Sequence, residues 1–224
     1  RRVNKPVDRN EWFMTPQTIN AYYDPTTNEI CFPAGILQAP FFDPAADDAA
    51  NYGAIGVVIG HEMTHGFDDQ GSQFDKDGNL RNWWTPQDKA NFKARTQRMI
   101  QFFDGIEVLP GLHCNGALTC GENIADHGGL KVAYQAFRNA TSSRPLADFG
   151  GFTPDQRFFI SYGQIWANNI RPEALRNQVK TDPHAPARWR VNGALPQIEA
   201  WYKAFGIKKG DKLFVPKNKR VDIW

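Results

Sequence analysis

Apolar side chains recur at helical offsets in the stretch numbered 45–66, at Ala50, Ala54, Val57, Val58 and Met63, and no proline interrupts it. Asp43-Pro44 just ahead has the form of a cap followed by proline in the first turn, so a helix is predicted to start there. Thr85-Pro86 opens a second such stretch, with Phe92, Met99, Ile100 and Phe103 at helical spacing to about residue 103. A third helix is expected after Gly121, carrying Ile124, Leu130, Ala133, Tyr134 and Phe137. A fourth is expected behind Thr153-Pro154-Asp155, carrying Phe158, Phe159, Tyr162, Ile165 and Trp166. The last should run over residues 196–205 and stop at Gly206, a residue type that readily takes the left-handed conformation ending helices.

Strand signals are confined to the front of the chain. Ile19-Asn20-Ala21-Tyr22-Tyr23 and Glu29-Ile30-Cys31-Phe32 are separated by Asp24-Pro25-Thr26-Thr27-Asn28, a segment dense in turn formers, which predicts a hairpin. An apolar linker broken by Pro33 and Pro40 leads from it to the first helix. There is no internal repeat and no low-complexity block. The expected fold is mainly α with a small β-sheet (α+β), in one domain over residues 1–224.

Composition narrows the function. With 224 residues, 41% of them hydrophobic and 22% charged, the chain can bury one sizeable core. The charges nearly cancel at +2, which argues against a general nucleic-acid footprint. The basic stretch of Lys203, Lys208, Lys209, Lys212, Lys217 and Lys219 is expected to be a solvated face, with binding to a nucleic acid or another polyanion as the weaker alternative. No apolar run approaches the roughly 18 residues of a membrane span. The chain begins Arg1-Arg2 with neither a methionine nor a signal peptide, so a cut or processed piece of a longer protein is expected. Of three cysteines, Cys31, Cys114 and Cys120, the last two flank the turn signal Asn115-Gly116. They form either a small loop disulfide in an oxidising compartment or a pair of buried thiols.

The chemistry is concentrated in His61-Glu62-Met63-Thr64-His65. On a helix, a spacing of four brings both imidazoles to one face, where they can share a metal ion, and Glu62 projects beside the ion's open position: the layout of a zinc hydrolase. A catalytic zinc site takes three protein ligands and keeps a fourth position for water. A histidine six places after the second, used by one class of zinc peptidases, is excluded because that position is Gly71. The better candidate is Gly121-Glu122-Asn123-Ile124-Ala125-Asp126, in which Glu122 and Asp126 share a helix face. Glu122 can bind the ion while Asp126 reaches the far nitrogen of a ligating histidine.

Five segments together resemble the catalytic region of the neprilysin and endothelin-converting-enzyme family, to which the bacterial PepO endopeptidases belong. They are Asn20-Ala21-Tyr22-Tyr23, Phe32-Pro33-Ala34-Gly35-Ile36-Leu37-Gln38, Gly60-His61-Glu62-Met63-Thr64-His65-Gly66-Phe67-Asp68-Asp69, Gly121-Glu122-Asn123-Ile124-Ala125-Asp126 and Thr181-Asp182-Pro183-His184-Ala185-Pro186. The resemblance runs from about residue 6 to Trp224, with the motifs in the same order. It implies a zincin-type, gluzincin-like domain holding one zinc ion and cutting small peptides on the amino side of hydrophobic residues. His61, His65 and Glu122 would then be zinc ligands, Glu62 the general base and Asp126 the partner of His61. His184 would stabilise the oxyanion and Arg190 would hold a substrate carbonyl; apart from the resemblance, Asp182 is close enough in sequence to orient His184. Asn20 and Ala21 would pair with the substrate backbone, and Ile36, Phe41, Val57, Val58, Ile165 and Trp166 would line a hydrophobic pocket on the primed side.

The sequence departs from the family in two ways. Animal members carry a cysteine three residues before the final tryptophan, where this chain has Val221; the disulfide to it is therefore expected to be absent and the origin bacterial. Full members also carry a long N-terminal portion forming most of a second lobe over the zinc, so that missing portion is an expected partner alongside the peptide substrates. A periplasmic, secreted or cell-surface setting is expected ahead of a cytoplasmic one. The competing class is a peptide-binding module that grips without cutting; intact Glu62, Glu122 and His184 argue against it.

Overall fold

The computed structural model describes residues 3–223; Arg1, Arg2 and Trp224, and with them the expected cut front end, lie outside the described residues. Strands β1 (Tyr22–Asp24) and β2 (Glu29–Cys31) form the expected hairpin, with Tyr22 opposite Cys31 and Asp24 opposite Glu29. The first strand is shorter than the predicted 19–23. Continuing the register would set Asn20 against Pro33, which has no N–H to give, so the ladder stops and residues 19–21 run on unpaired.

The motif helix starts later than Asp43-Pro44 implies. Asp43 only closes a turn, accepting from the Ala45 amide at 2.8 Å. The true cap is Asp47, whose side chain accepts from the Ala50 amide at 2.9 Å and opens α1 (Asp48–Asn51). The chain then passes through a π-helical turn, Tyr52–Gly56, into α2 (Val57–His65). Thr85 caps α3 (Pro86–Asp104) as expected, accepting from the Asp88 amide at 3.1 Å. A second hairpin that the sequence reading missed follows, β3 (Glu107–Leu109) and β4 (Leu112–His113), turning at Gly111 with φ of 72°. The β-structure is thus two separate two-stranded sheets. Asn115 initiates a turn into α4 (Cys120–Thr141), its side chain accepting from the Leu118 amide at 3.0 Å.

A full capping box between Thr153 and Gln156 begins α5 (Pro154–Ile165). Two helices not predicted follow, α6 (Pro172–Thr181) and α7 (Ala187–Ala194). The predicted helix over 196–205 is divided: Leu195–Gln197 is a 3-10 turn, Ile198 is extended, and α8 (Glu199–Phe205) ends at Gly206 with φ of 64°.

Two apolar cores hold these elements. The larger joins α2, α4, α5, α7 and α8 through Leu130, Phe137, Phe158, Tyr162 and Trp201. The smaller joins α3 and the start of α4 to the C-terminal segment through Met99, Phe103, Ile124, Val221 and Ile223. Cys114 and Cys120 are free buried thiols in this second core, so of the two alternatives the loop disulfide is not formed. Burial pushes the Cys120 thiol up to about 12 and that of Cys114 to about 11, which suits inert core side chains.

The crossing of α2 and α4 sets the site. It is tight because Gly60 meets Gly129; a Cβ on Gly129 would fall 2.6 Å from the Val57 carbonyl oxygen and 2.8 Å from the His61 amide nitrogen. Only hydrogens on both helices permit this approach, which brings the last turns of α2 against the first turns of α4.

Candidate metal centre and substrate cleft

α2 supplies His61 and His65 from one face, and α4 brings Glu122 in its first turn and Asp126 one turn later. The two imidazole Nε2 atoms stand 3.0 Å apart. Glu122 Oε2 is 3.2 Å from His61 Nε2, and Oε1 is 3.7 Å from His65 Nε2. Ligand atoms of these three residues all lie within 4.8 Å of one another.

The far side of each ring is anchored. His61 Nδ1 faces Asp126 Oδ1 at 2.9 Å and His65 Nδ1 faces Asp68 Oδ2 at 2.6 Å. A carboxylate can only accept, so both rings donate from Nδ1. In the neutral rings this leaves two Nε2 lone pairs pointed at each other beside a carboxylate, an arrangement that repels itself unless a cation lies between. Glu122 Oε2 is also a buried oxygen that accepts no hydrogen bond from the protein. The donor set therefore fits a borderline-soft divalent ion such as zinc.

Electrostatics follow the same pattern. Burial alone would lower His61, but the carboxylates of Asp126 and Glu122 beside its two ring nitrogens lift it to about 9. Burial would raise Glu122, but His61, His65 and His184 hold it at about 2. Asp126 is held well below the usual carboxylate range against its own burial, first by Arg190 and then by His61. Glu62 goes the other way: it is 5% exposed, accepts no hydrogen bond among the described residues, and burial raises it.

Every residue assigned a site role in the sequence except Asp182, which stands behind His184, lines one cleft of about 630 Å3. His184 stands on the turn before α7, its Nε2 3.2 Å from Glu122 Oε2 and its Nδ1 2.8 Å from Asp182. Asn20 and Ala21 precede the unpaired edge of β1 rather than lying in it. Ile36, Phe41, Val57, Val58, Ile165 and Trp166 form an apolar end of the cleft. Arg190 is buried, not free: its guanidinium grips Asp126 in a bidentate pair and lies over the Trp166 ring at 3.8 Å.

Two contributors escaped the sequence reading. Asp68 anchors His65, and its other oxygen accepts from the amides of Gln70 and Gly71 at 2.8 and 2.7 Å. A carboxylate three places after a histidine, just past the end of its helix, was the available signal. Tyr162, fully buried, donates from its hydroxyl to the Arg190 carbonyl at 2.9 Å, a contact across 28 residues that no local pattern reveals.

This mostly helical fold with two histidines on one helix and a glutamate from the next is that of a gluzincin-type catalytic domain. A family model described as peptidase family M13 matches residues 20–221, and the chain belongs to that family, which is zinc-dependent. It is 44% identical over 226 residues to endothelin-converting enzyme 1 of Rattus norvegicus, covering 100% of this chain and 29% of that protein. Among solved structures it is similar to the zinc metalloprotease Zmp1 of Mycobacterium tuberculosis in complex with an inhibitor, with a TM-score of 0.95 and 49% identity over 98% of this chain and 34% of that one. It is also similar to PepO from Lactobacillus rhamnosis, with a TM-score of 0.88 and 42% identity over 97% of this chain and 33% of that one. The chain thus spans about a third of the length of these relatives, which come from animals and bacteria alike.

Proposed function

We propose that residues 1–224 are the catalytic portion of a zinc endopeptidase that hydrolyses short peptides on the amino side of hydrophobic residues. The observation that carries this reading is the pair of facing Nε2 atoms, 3.0 Å apart, with Glu122 beside them, so that ligand atoms of three residues gather within 4.8 Å of one another. His61, His65 and Glu122 would hold the ion. Zinc, when bound, lowers the pKa of its water toward about 7 and polarises a carbonyl oxygen.

The remaining work belongs to side chains of this chain. Glu62 takes the proton of the attacking water and delivers it to the leaving amine; its raised pKa brings it nearer the operating pH. As an imidazolium, His184 can donate from Nε2 to the developing oxyanion while its Nδ1 donates to Asp182. Asp126 and Asp68 fix the tautomer and tilt of the two histidines. Arg190 holds Asp126 and meets a substrate carbonyl at the cleft wall, and Asn20 and Ala21 pair with the peptide backbone beside the open edge of β1. The apolar end formed by Ile36, Phe41, Val57, Val58, Ile165 and Trp166 takes the hydrophobic side chain that follows the cut.

A longer protein supplies the partner. On the outer face of α2 and just beyond it, Ile59, Met63 and Phe67 are 39%, 53% and 49% exposed at intervals of four, an apolar stripe suited to docking the rest of the polypeptide. Val221, in place of the animal cysteine, supports a bacterial source, with a site of action in the periplasm, outside the cell or on its surface. Among the described residues no helix is long and apolar enough to cross a membrane.

A quenched-fluorescent peptide with a single hydrophobic residue at its centre tests the reading. Cleavage before that residue, lost on chelation and restored by zinc, is expected. Metal bound without chelator-sensitive turnover would instead favour a module that grips peptides without cutting them.

A further inference from the structure

A second groove, of about 490 Å3, opens beside the substrate cleft. On its floor Trp84 and Phe92 stack at 5.2 Å, and the Trp84 ring is fixed by its Nε1–H donating to the Ser72 carbonyl at 2.9 Å. Arg81, Lys89 and Lys93 line the walls. Lys89 and Lys93 are four apart on α3 and so share a face. None of these cations lies within 4 Å of a carboxylate among the described residues, although the charge of Arg81 reaches Asp75; many of the molecule's other basic side chains are held in close ion pairs. The one acid among the lining residues is Asp69.

Asp69 also lines the substrate cleft, so the two hollows meet there. Along α2 the apolar pocket residues Val57 and Val58 lie before the two histidines, and Asp69 lies beyond them. At about 1.5 Å per residue, the helix separates the two ends by more than 10 Å. A peptide whose hydrophobic residue after the cut occupies the apolar pocket therefore runs its amino-terminal part toward the groove.

We propose that this groove is an accessory subsite for an acidic stretch on the amino-terminal side of a peptide substrate, several residues from the bond that is cut. This rests on the peptidase reading above. Three cations, none of them in a close ion pair, favour carboxylates, and the aromatic floor accepts an apolar side chain between them. A peptide suits the site better than a nucleic acid. Asp69, which lines both hollows, with Asp68 beside it in the chain, would repel a continuous phosphodiester chain laid from one to the other, whereas a peptide can carry a neutral residue at that point.

The test uses the full-length protein and three peptides sharing one cleavable core: unextended, with two glutamates added several residues to the amino side, and with the same addition on the carboxyl side. The amino-side extension should lower KM by about tenfold, as two exposed ion pairs in the upper part of their usual range would, with kcat little changed. The advantage should shrink in high salt. In the triple variant Arg81→Ala/Lys89→Ala/Lys93→Ala, the ratio of kcat/KM between extended and unextended peptide should fall to near one. Equal cleavage of all three peptides, an equal gain from the carboxyl-side extension, or an unaltered ratio in the triple variant would overturn the proposal.

A second measurement separates this from failure of the peptidase reading. A glutamate-rich peptide without a cleavable core should quench tryptophan emission in the wild type, and do so neither in Trp84→Phe nor in the triple variant. That result stands even if no peptide is cut. No quench in the full-length protein would mean that another part of the polypeptide covers the groove, and tighter binding of an oligonucleotide of equal charge would mark a nucleic-acid site; either result would overturn the proposal.

Discussion

Arg190 and Asp126, 64 positions apart in sequence, form a buried bidentate pair, with Nε 2.8 Å from Oδ2 and Nη2 2.7 Å from Oδ1. Oδ1 is the same atom that accepts from His61 Nδ1 at 2.9 Å. The pose of the first histidine is thus set by an arginine that belongs to a different helix, itself held by Tyr162 and stacked on Trp166. Removing Arg190 would leave a buried carboxylate with one donor instead of three.

Arg190→Ala should therefore cost stability of about 3–5 kcal/mol, the usual loss when one member of a buried ion pair is removed. It should also weaken zinc binding by roughly 10 to 100-fold. Arg190→Lys should recover little, because an ammonium cannot reproduce the two parallel hydrogen bonds. Urea unfolding and competition with a zinc-sensitive dye measure the two effects. Full rescue by lysine would show that charge alone, not the fork geometry, is what Asp126 needs.

Gly129→Ala should separate α2 from α4. Its new Cβ would lie 2.6 Å from the Val57 carbonyl oxygen and 2.8 Å from the His61 amide, so backbone must move, at a cost of about 1–3 kcal/mol. Gly163→Ala on α5 is the control, since its Cβ would meet nothing nearer than Val191 Cγ1 at 4.0 Å and alanine is the better helix former. The first variant should melt lower and bind zinc more weakly; the second should melt at or above the wild-type temperature. Equal melting of both would disprove the tight crossing.

Much of this arrangement was legible beforehand. Helices α3 and α5 announce themselves through Thr85-Pro86 and Thr153-Pro154, local signals that need no tertiary help. The convergence of His61, His65 and Glu122 was legible because a spacing of four on a helix is geometry written into sequence, in His61/His65 and again in Glu122/Asp126. What was hidden depended on distant partners. Asp43 and Asp47 are equally plausible caps, and only Asp47 finds an amide in the right place, at Ala50, while its carboxylate also takes Arg157 Nε at 2.7 Å. Helices α6 and α7 are short, are flanked by prolines and bury few residues, Val179 alone in the first, so no apolar stripe marks them. The grip of Arg190 on Asp126 was hidden because nothing local reveals that the two meet.

His127 gives the chain an acid sensitivity. It is 1% exposed, both ring nitrogens lack a hydrogen-bond partner, and burial, then the charge of Lys131, pushes it down to about 4 although Asp222 opposes this. The folded state keeps it neutral, whereas the unfolded chain takes up a proton below about 6.5. Stability linked to His127 is thus fully present above pH 6.5 and is lost as pH falls from there toward 4, by on the order of 3 kcal/mol. His127→Leu should lose less stability between pH 7 and pH 5 than the wild type does, read from urea midpoints at the two values. Parallel losses in both proteins would remove His127 as the cause.

Zinc content, measured by elemental analysis of the wild type, Glu62→Gln and Glu122→Ala after dialysis side by side, tests the metal centre most directly. One ion per chain is expected in the first two and essentially none in the third, with turnover only in the wild type. Full zinc retention by Glu122→Ala, or a wild type that takes up no zinc, would contradict the convergence of His61, His65 and Glu122 on a single ion.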